Sequence, residues 1–209
     1  MSGKDKKILV ATTNPGKVEE LRAMLDDNIQ WLGLADFPNV AEIEEDGLTF
    51  AENARKKAAG YAKQTGIWTI ADDSGLLIDA LDGAPGVKSA RFSQDQRLKT
   101  QDLKQSIKCR ISNHESRITS HDRTLLDRKN MTKVLKLLED VPAEKRTAKF
   151  VCCLSLASPE KILIETEGTL EGFIAEKPIG ENGFGYDPIF FVPHLNKTTA
   201  QLTAKEKNA

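Results

Sequence analysis

An excess of charge of either sign is missing from this chain: 30 Lys and Arg stand against 31 Asp and Glu in 209 residues, a net charge of −1. That balance argues against a polyelectrolyte surface for nucleic acid or an anionic membrane, so any anion site has to be local. Cysteine is scarce as well, with Cys109, Cys152 and Cys153 the three present. Cys152 and Cys153 are neighbours in a strand-like run and point to opposite faces, which argues against a disulfide framework and for reduced thiols inside a cell. No Cys and His spacing resembles a zinc site. The charged start, MSGKDKKILVAT, precedes neither a long apolar run nor a small-residue cleavage site, so a cytoplasmic protein with no membrane segment is expected.

What is present is a chain long enough for one substantial domain, or one domain with two lobes. Lys7 to Thr12 (KILVAT) reads as a buried strand, and Asn14-Pro15 as the start of a helix with Val18, Leu21, Met24 and Leu25 on one face. The turn between them, Thr12-Thr13-Asn14-Pro15-Gly16-Lys17, offers hydroxyls, an amide, a helix N-terminus and a lysine, all suited to a phosphate. A capped helix with a solvated lysine accounts for the same residues. It is not a Walker P-loop, because Ala11 stands where that pattern needs Gly and Val18 where it needs Ser or Thr. Ile29 to Leu34 is a second strand, and Glu42, Glu44, Glu45 and Asp46 form an acidic run before Gly47. Thr49 and Glu52 fit a capping box that opens a helix to about Gln64, carrying Asn53, Arg55, Lys56 and Lys57 beside five alanines suited to close packing.

Trp68 to Ile70 reads as a strand that stops at two carboxylates, Asp72 and Asp73, followed by Ser74 and Gly75. Paired acids at a strand end can hold a metal or activate water, while Asp-Asp-Ser-Gly is equally turn chemistry. Residues 93 to 123 are polar and hold a near repeat, Arg110 to Ser116 (RISNHES) and Arg117 to Arg123 (RITSHDR), which makes His114 and His121 equivalent. This stretch reads as an insertion, with a metal role for its histidines the minor reading. Leu125 to Glu139 returns to helical periodicity, and Thr147 to Ala157 and Lys161 to Glu171 read as an antiparallel pair joined at Ser158-Pro159, so the sheet is mixed. In the glycine-spaced loop Ile179 to Pro188, Phe184 or Tyr186 offers a ring to stack on a planar ligand. Thr203 and Glu206 form a last capping box just before the sequence stops at Ala209.

Five blocks in order, TTNPGK (12–17), GLTFAENARKKA (47–58), ADDSGL (71–76), GAPGVKSARF (83–92) and GFGYDPIFF (183–191), resemble the Ham1 or inosine triphosphate pyrophosphatase family. The resemblance covers nearly everything outside the 93–123 insertion. It implies an α/β protein with a mixed, elongated central sheet flanked by helices, two lobes around an active-site cleft, and a homodimer. The implied activity is Mg²⁺-dependent hydrolysis of ITP, dITP and XTP to the monophosphate and pyrophosphate. Nudix enzymes share that substrate class, but their Arg-Glu-x-x-Glu-Glu helix is absent here.

Matched position by position, the resemblance gives Thr12, Thr13, Asn14, Pro15, Gly16, Lys17 and Lys57 to the triphosphate. Glu45 and Asp73 go to Mg²⁺, with Asp73 also the general base. Ser74 would contact the substrate, as would Phe184, Gly185, Tyr186, Asp187 and Lys207, among which Phe184 stacks on the purine and Asp187 and Lys207 line the base end. Whether Glu44 or Glu45 reaches the metal is a matter of geometry. The family continues beyond the position of Lys207 into Ser-His-Arg and a further helix, and this chain stops first. The expectation is therefore a single domain over 1–209, truncated at its end, with a degenerate nucleotide-binding protein as the alternative function.

Overall fold

The computed structural model describes residues 7–12, 29–95 and 120–207. The 13–28 stretch, with Thr13, Asn14, Pro15, Gly16 and Lys17, and most of the 93–123 insertion, with His114 and Cys109, lie outside the described residues.

β1 (Lys7–Val10) and β2 (Gln30–Gly33) pair in parallel, and β1 also pairs in parallel with β3 (Trp68–Ile78). From there β4 (Thr147–Ala157), β5 (Ile162–Ile174), β6 (Phe190–Val192) and β7 (Lys197–Thr198) add in antiparallel fashion, giving the order β2-β1-β3-β4-β5-β6-β7 among the described residues. The sheet is mixed, as its sequence pattern requires. β3, β4 and β5 are its long strands, and their length lets one sheet serve two cores.

At one end of these strands, α1 (Phe50–Thr65) lays Ala58 and Ala62 against Ala71 and Ala157, with Leu9, Ala11 and Tyr61 completing the cluster, while Ala54 packs with Phe50, Val151 and Cys153. Methyl-sized side chains bring the helix close to the sheet, which is what its run of alanines allows. The Thr49 hydroxyl accepts from the Glu52 N–H at 3.1 Å, the Glu52 carboxylate accepts from the Thr49 and Leu48 N–H groups, and Gly66 ends the helix at φ 71°. These are the start and stop signals of an isolated amphipathic helix, and they were readable without the fold.

At the other end, Leu76, Ile78, Ala148 and Ile174 pack with Val134 and Leu138 of α2 (Ser120–Leu137) and the segment just beyond it, with Phe190, Val192 and Tyr186 filling in. α2 begins inside the stretch read as an insertion, so the last residues of that stretch belong to a regular element. The segment Gly86–Gln94 crosses β3 closely enough that a Cβ on Gly75 would stand 2.3 Å from the Ser89 hydroxyl, so a side chain there would have to displace it. A four-residue helix, α3 (Ala204–Lys207), closes the described chain, with the expected Thr203 and Glu206 box formed. Among the described residues no helix is long and apolar enough to cross a membrane.

One expectation is corrected here. The Asp72-Asp73-Ser74-Gly75 stretch is not a turn at a strand end but the middle of β3, paired in register with Leu154, Cys153, Cys152 and Val151 of β4. A ten-residue antiparallel ladder supplies partners for the backbone that turn-forming side chains would otherwise satisfy.

Candidate active site

Mid-strand placement separates the two acids. Alternation along β3 turns Asp73 toward α1 and sends Asp72 and Ser74 to the opposite face of the sheet. Asp73 is 9 % exposed; its Oδ2 accepts from the Asn53 side-chain amide at 2.9 Å and its Oδ1 from the Ser74 backbone N–H at 2.9 Å. Each carboxylate oxygen has a second lone pair beyond these bonds. Ser74 brings its backbone N–H to the side of Asp73. In the next strand Cys153 lies opposite Asp73, and burial followed by its bond to Glu167 pushes the thiol up to about 12, so it stays protonated. Cys153 is a free thiol.

The acidic loop before α1 is laced along one face of that helix. Gln64 exchanges two bonds with the Ala41 backbone, at 2.7 and 3.0 Å. Ile43 packs over Gly60, where a Cβ would meet it at 2.5 Å. Lys57 pairs with Glu45 at 3.2 Å, Lys56 with Asp46, and the Asn53 carbonyl oxygen accepts from the Gly47 N–H at 2.8 Å. The positions 53, 57, 60 and 64 repeat at helical spacing, so one face of α1 brings the loop to Asp73. Between the two candidate metal acids, Glu45 is the one whose pairing with Lys57 places it in this row. Glu45, Lys57, Asn53 and Asp73 make one end of the site. At the end of β1 the Ala11 N–H donates to the Ile70 carbonyl at 2.8 Å, and Thr12 carries the chain on from there.

The glycine-spaced loop forms a second cluster. Asp187, buried, accepts from the Phe184 N–H at 3.0 Å, the Thr199 hydroxyl at 2.9 Å and the Lys207 ammonium at 2.8 Å. The same ammonium stands 5.6 Å from the centre of the Phe184 ring. Gly183, at φ 80°, has no room for a side chain because a Cβ would fall on the Asp187 carboxylate. Gly185 donates its N–H to Asp127 of α2 at 3.1 Å, and burial raises that carboxyl above its usual range. The two aromatics part company. Phe184 keeps 39 % of its surface exposed, whereas Tyr186 is buried and donates its hydroxyl to the Ser89 carbonyl at 2.8 Å. Burial also pushes the Tyr186 phenol far up, so it remains a donor. The Tyr186 ring is a wall of the core that fixes the loop beside Phe184.

Three residues of these clusters escaped the sequence reading: Asn53, Thr199 and Asp127. Asn53 had a readable signal, a poor helix former set among alanines on the packed face. Thr199 and Asp127 meet the loop only through tertiary contacts and had none.

The capping box at the chain end bears directly on Lys207. Glu206 is held down to about 2 by its bond to Lys197 and by the Thr203 N–H and hydroxyl. A folded-state value below the ordinary 4.5 gives a contribution that is full above 4.5 and lost as the pH falls toward 2. In that window the cap and the ion pair weaken together. The Lys207 amide, bonded to the Thr203 carbonyl at 3.0 Å, is expected to lose protection there relative to the exchange rate of the unstructured chain at the same pH, and Glu206→Gln to abolish this acid dependence in a hydrogen-exchange series.

Comparison with known proteins gives a consistent set of relatives. The family model described as the Ham1 family matches residues 8–124 and 114–209. A protein of Shouchella clausii named dITP/XTP pyrophosphatase is 45 % identical over 202 residues, spanning 97 % of this chain and 88 % of the relative. One of the same name from Listeria monocytogenes serovar 1/2a is 44 % identical over 203 residues, spanning 97 % and 86 %. Among solved structures, a HAM1 protein from Coxiella burnetii superposes with a TM-score of 0.76 at 38 % identity, covering 98 % of this chain and 90 % of that one. The Staphylococcus aureus Ham1 protein gives 0.74 at 35 % identity, covering 97 % and 89 %.

Proposed function

The chain belongs to the Ham1 family, and from that membership we propose that it is a Mg²⁺-dependent pyrophosphatase of non-canonical purine nucleoside triphosphates. It hydrolyses ITP, dITP and XTP to the monophosphate and pyrophosphate and so cleanses the nucleotide pool. The observation that supports this most is the pairing of two unlike clusters on one sheet. One is built of carboxylates and lysine around Asp73, the other of an exposed ring edged by an ion pair around Phe184. A triphosphate needs concentrated charge, and a base needs a flat face with hydrogen-bond groups at its rim.

In this reading Asp73, its carboxylate fixed by Asn53 and the Ser74 N–H, takes the proton of a water that attacks the α-phosphorus. Lys57 and the residues Thr12 to Lys17 hold the phosphates. Glu45 and Asp73 would hold the metal. Their carboxylate oxygens suit a hard cation such as Mg²⁺, which takes one or two carboxylates and leaves its remaining positions to water and phosphate. When bound, Mg²⁺ neutralises charge on the phosphate oxygens.

At the other end Phe184 stacks on the purine. The Lys207 ammonium is a donor only, so it favours the oxygen at position 6 of hypoxanthine or xanthine over the amino group of adenine. The reading also takes the enzyme as a cytoplasmic homodimer. The alternative, a nucleotide-binding protein with impaired catalysis, is not favoured, since both clusters are assembled and the relatives carry the name of an enzyme. Incubation with ITP and Mg²⁺, beside ATP as control, is expected to yield IMP and pyrophosphate with little turnover of ATP. Orthophosphate as the product of an active preparation would overturn the proposal.

A further inference from the structure

We infer that Asn53 is a positioning residue for the reaction: its side-chain amide binds Asp73 and the acidic loop at once, setting the carboxylate of Asp73 and that of Glu45 in one register. This rests on the reading of Asp73 and Glu45 given above. The amide is 1 % exposed and both its ends are used, Nδ2 donating to Asp73 Oδ2 at 2.9 Å and Oδ1 accepting from the Gly47 N–H at 2.8 Å.

The geometry shows how closely the parts are fitted. A Cβ on Gly47 would stand 2.6 Å from the Asn53 oxygen and 2.9 Å from Glu52, so the loop backbone can approach the amide only because residue 47 has no side chain. Two residues before Gly47 stands Glu45, and one turn of α1 after Asn53 stands Lys57, paired with it at 3.2 Å. The loop is thereby anchored on both sides of Glu45. On the other side, the Asp73 carboxylate has its plane fixed by two donors from different elements, Asn53 on α1 and the Ser74 N–H on β3. The donor on α1 is what couples that plane to the loop. A core-filling role alone would be served by alanine, which the same helix uses at its buried positions 54, 58 and 62. The polar group is therefore kept for its two bonds.

Loss of an outer partner that orients a metal-binding carboxylate typically lowers metal affinity or activity by about 10–100-fold. The test compares the unmodified chain, Asp73→Asn, Asn53→Ala and Asn53→Asp. Each is assayed for pyrophosphate release from ITP, for Mn²⁺ binding without nucleotide by electron paramagnetic resonance, and for thermal unfolding. Asn53→Ala loses both bonds. Asn53→Asp keeps the shape and the acceptor for Gly47, so its loop stays docked, but the two facing carboxyls cannot both ionise, and the proton held between them takes Asp73 out of use as a base. Both are expected to lose kcat by about 10–100-fold with the KM for ITP within about threefold. In Asn53→Ala the Mn²⁺ dissociation constant is expected to rise about tenfold.

A merely structural role would lower the unfolding temperature and leave kcat and Mn²⁺ affinity per folded molecule unchanged, which overturns the inference. If Asn53→Ala does not fold, Asn53→Leu, close to it in volume and without either bond, takes its place, unchanged kcat and Mn²⁺ affinity overturning the inference and loss of both supporting it. Failure of the underlying reading looks different. The unmodified chain would then release no pyrophosphate, or Asp73→Asn would retain both turnover and Mn²⁺ binding.

Discussion

Asp73→Asn is expected to slow pyrophosphate release from ITP by about 10²–10⁴-fold, the range that a positioned general base contributes. The carboxylate is nearly buried, and both of its oxygens accept a hydrogen bond, from the Asn53 amide and from the Ser74 N–H. An asparagine at 73 presents one oxygen and one NH₂ in their place. One of the two incoming donors then faces another donor, at a cost of about 1–3 kcal/mol for the unsatisfied group. The ladder of β3 with β4 is backbone to backbone and does not depend on that side chain, so the protein stays folded with a lowered unfolding temperature. The substitution also removes a proton acceptor, because an amide does not take up a proton near neutral pH. Steady-state kinetics alongside a thermal melt separates the two effects, and turnover near that of the unmodified chain in a folded Asp73→Asn sample would remove Asp73 from the reaction.

The second large effect is placed at the base end. Asp187→Ala withdraws the one acceptor shared by the Phe184 N–H, the Thr199 hydroxyl and the Lys207 ammonium. Removing one partner of a buried ion pair strands the other. Here the expected loss is about 3 kcal/mol, at the low end because the Lys207 side chain remains 21 % exposed and water recovers part of its charge. The loop loses its shape as well, since the carboxylate occupies the space that Gly183 leaves open. Phe184 is then no longer presented at a fixed angle, and the KM for ITP is expected to rise by about tenfold or more, in keeping with the 1–3 kcal/mol that a stacked base contributes. Urea denaturation reads the first effect and the dependence of rate on ITP concentration the second. An unchanged KM with lowered stability would confine Asp187 to a structural role.

Much of the fold was written locally. The helix Phe50–Thr65 declares its start through Thr49 and Glu52, its stop through Gly66 and its packed face through its alanines, all within a few residues of one another. The antiparallel pair β4 and β5 and the short final helix follow from alternation and capping in the same way. Chemistry was legible too, because the kinds of residue a triphosphate and a purine require are set by charge and shape. Asp73 and Phe184 could be named as candidates from residue type, and the acidic loop and Lys57 through the family resemblance, before any geometry.

Other features depended on residues far apart in the chain. Asp72-Asp73-Ser74-Gly75 has the composition of a turn, and only its pairing with Val151 to Leu154, some eighty residues on, keeps it extended and points Asp73 at α1. Phe184 and Tyr186 are equal candidates by sequence, and it is the carbonyl of Ser89, 97 residues away, that draws Tyr186 inward and leaves Phe184 at the surface. Asn53 looks like a poor helix residue until Gly47 and Asp73 meet on either side of its amide. The sequence by itself determined the elements and the chemistry on offer, since capping, periodicity and residue type act over a few positions. Tertiary structure decided which side chains face one another, because that depends on packing and pairing between distant segments whose energies no local stretch contains.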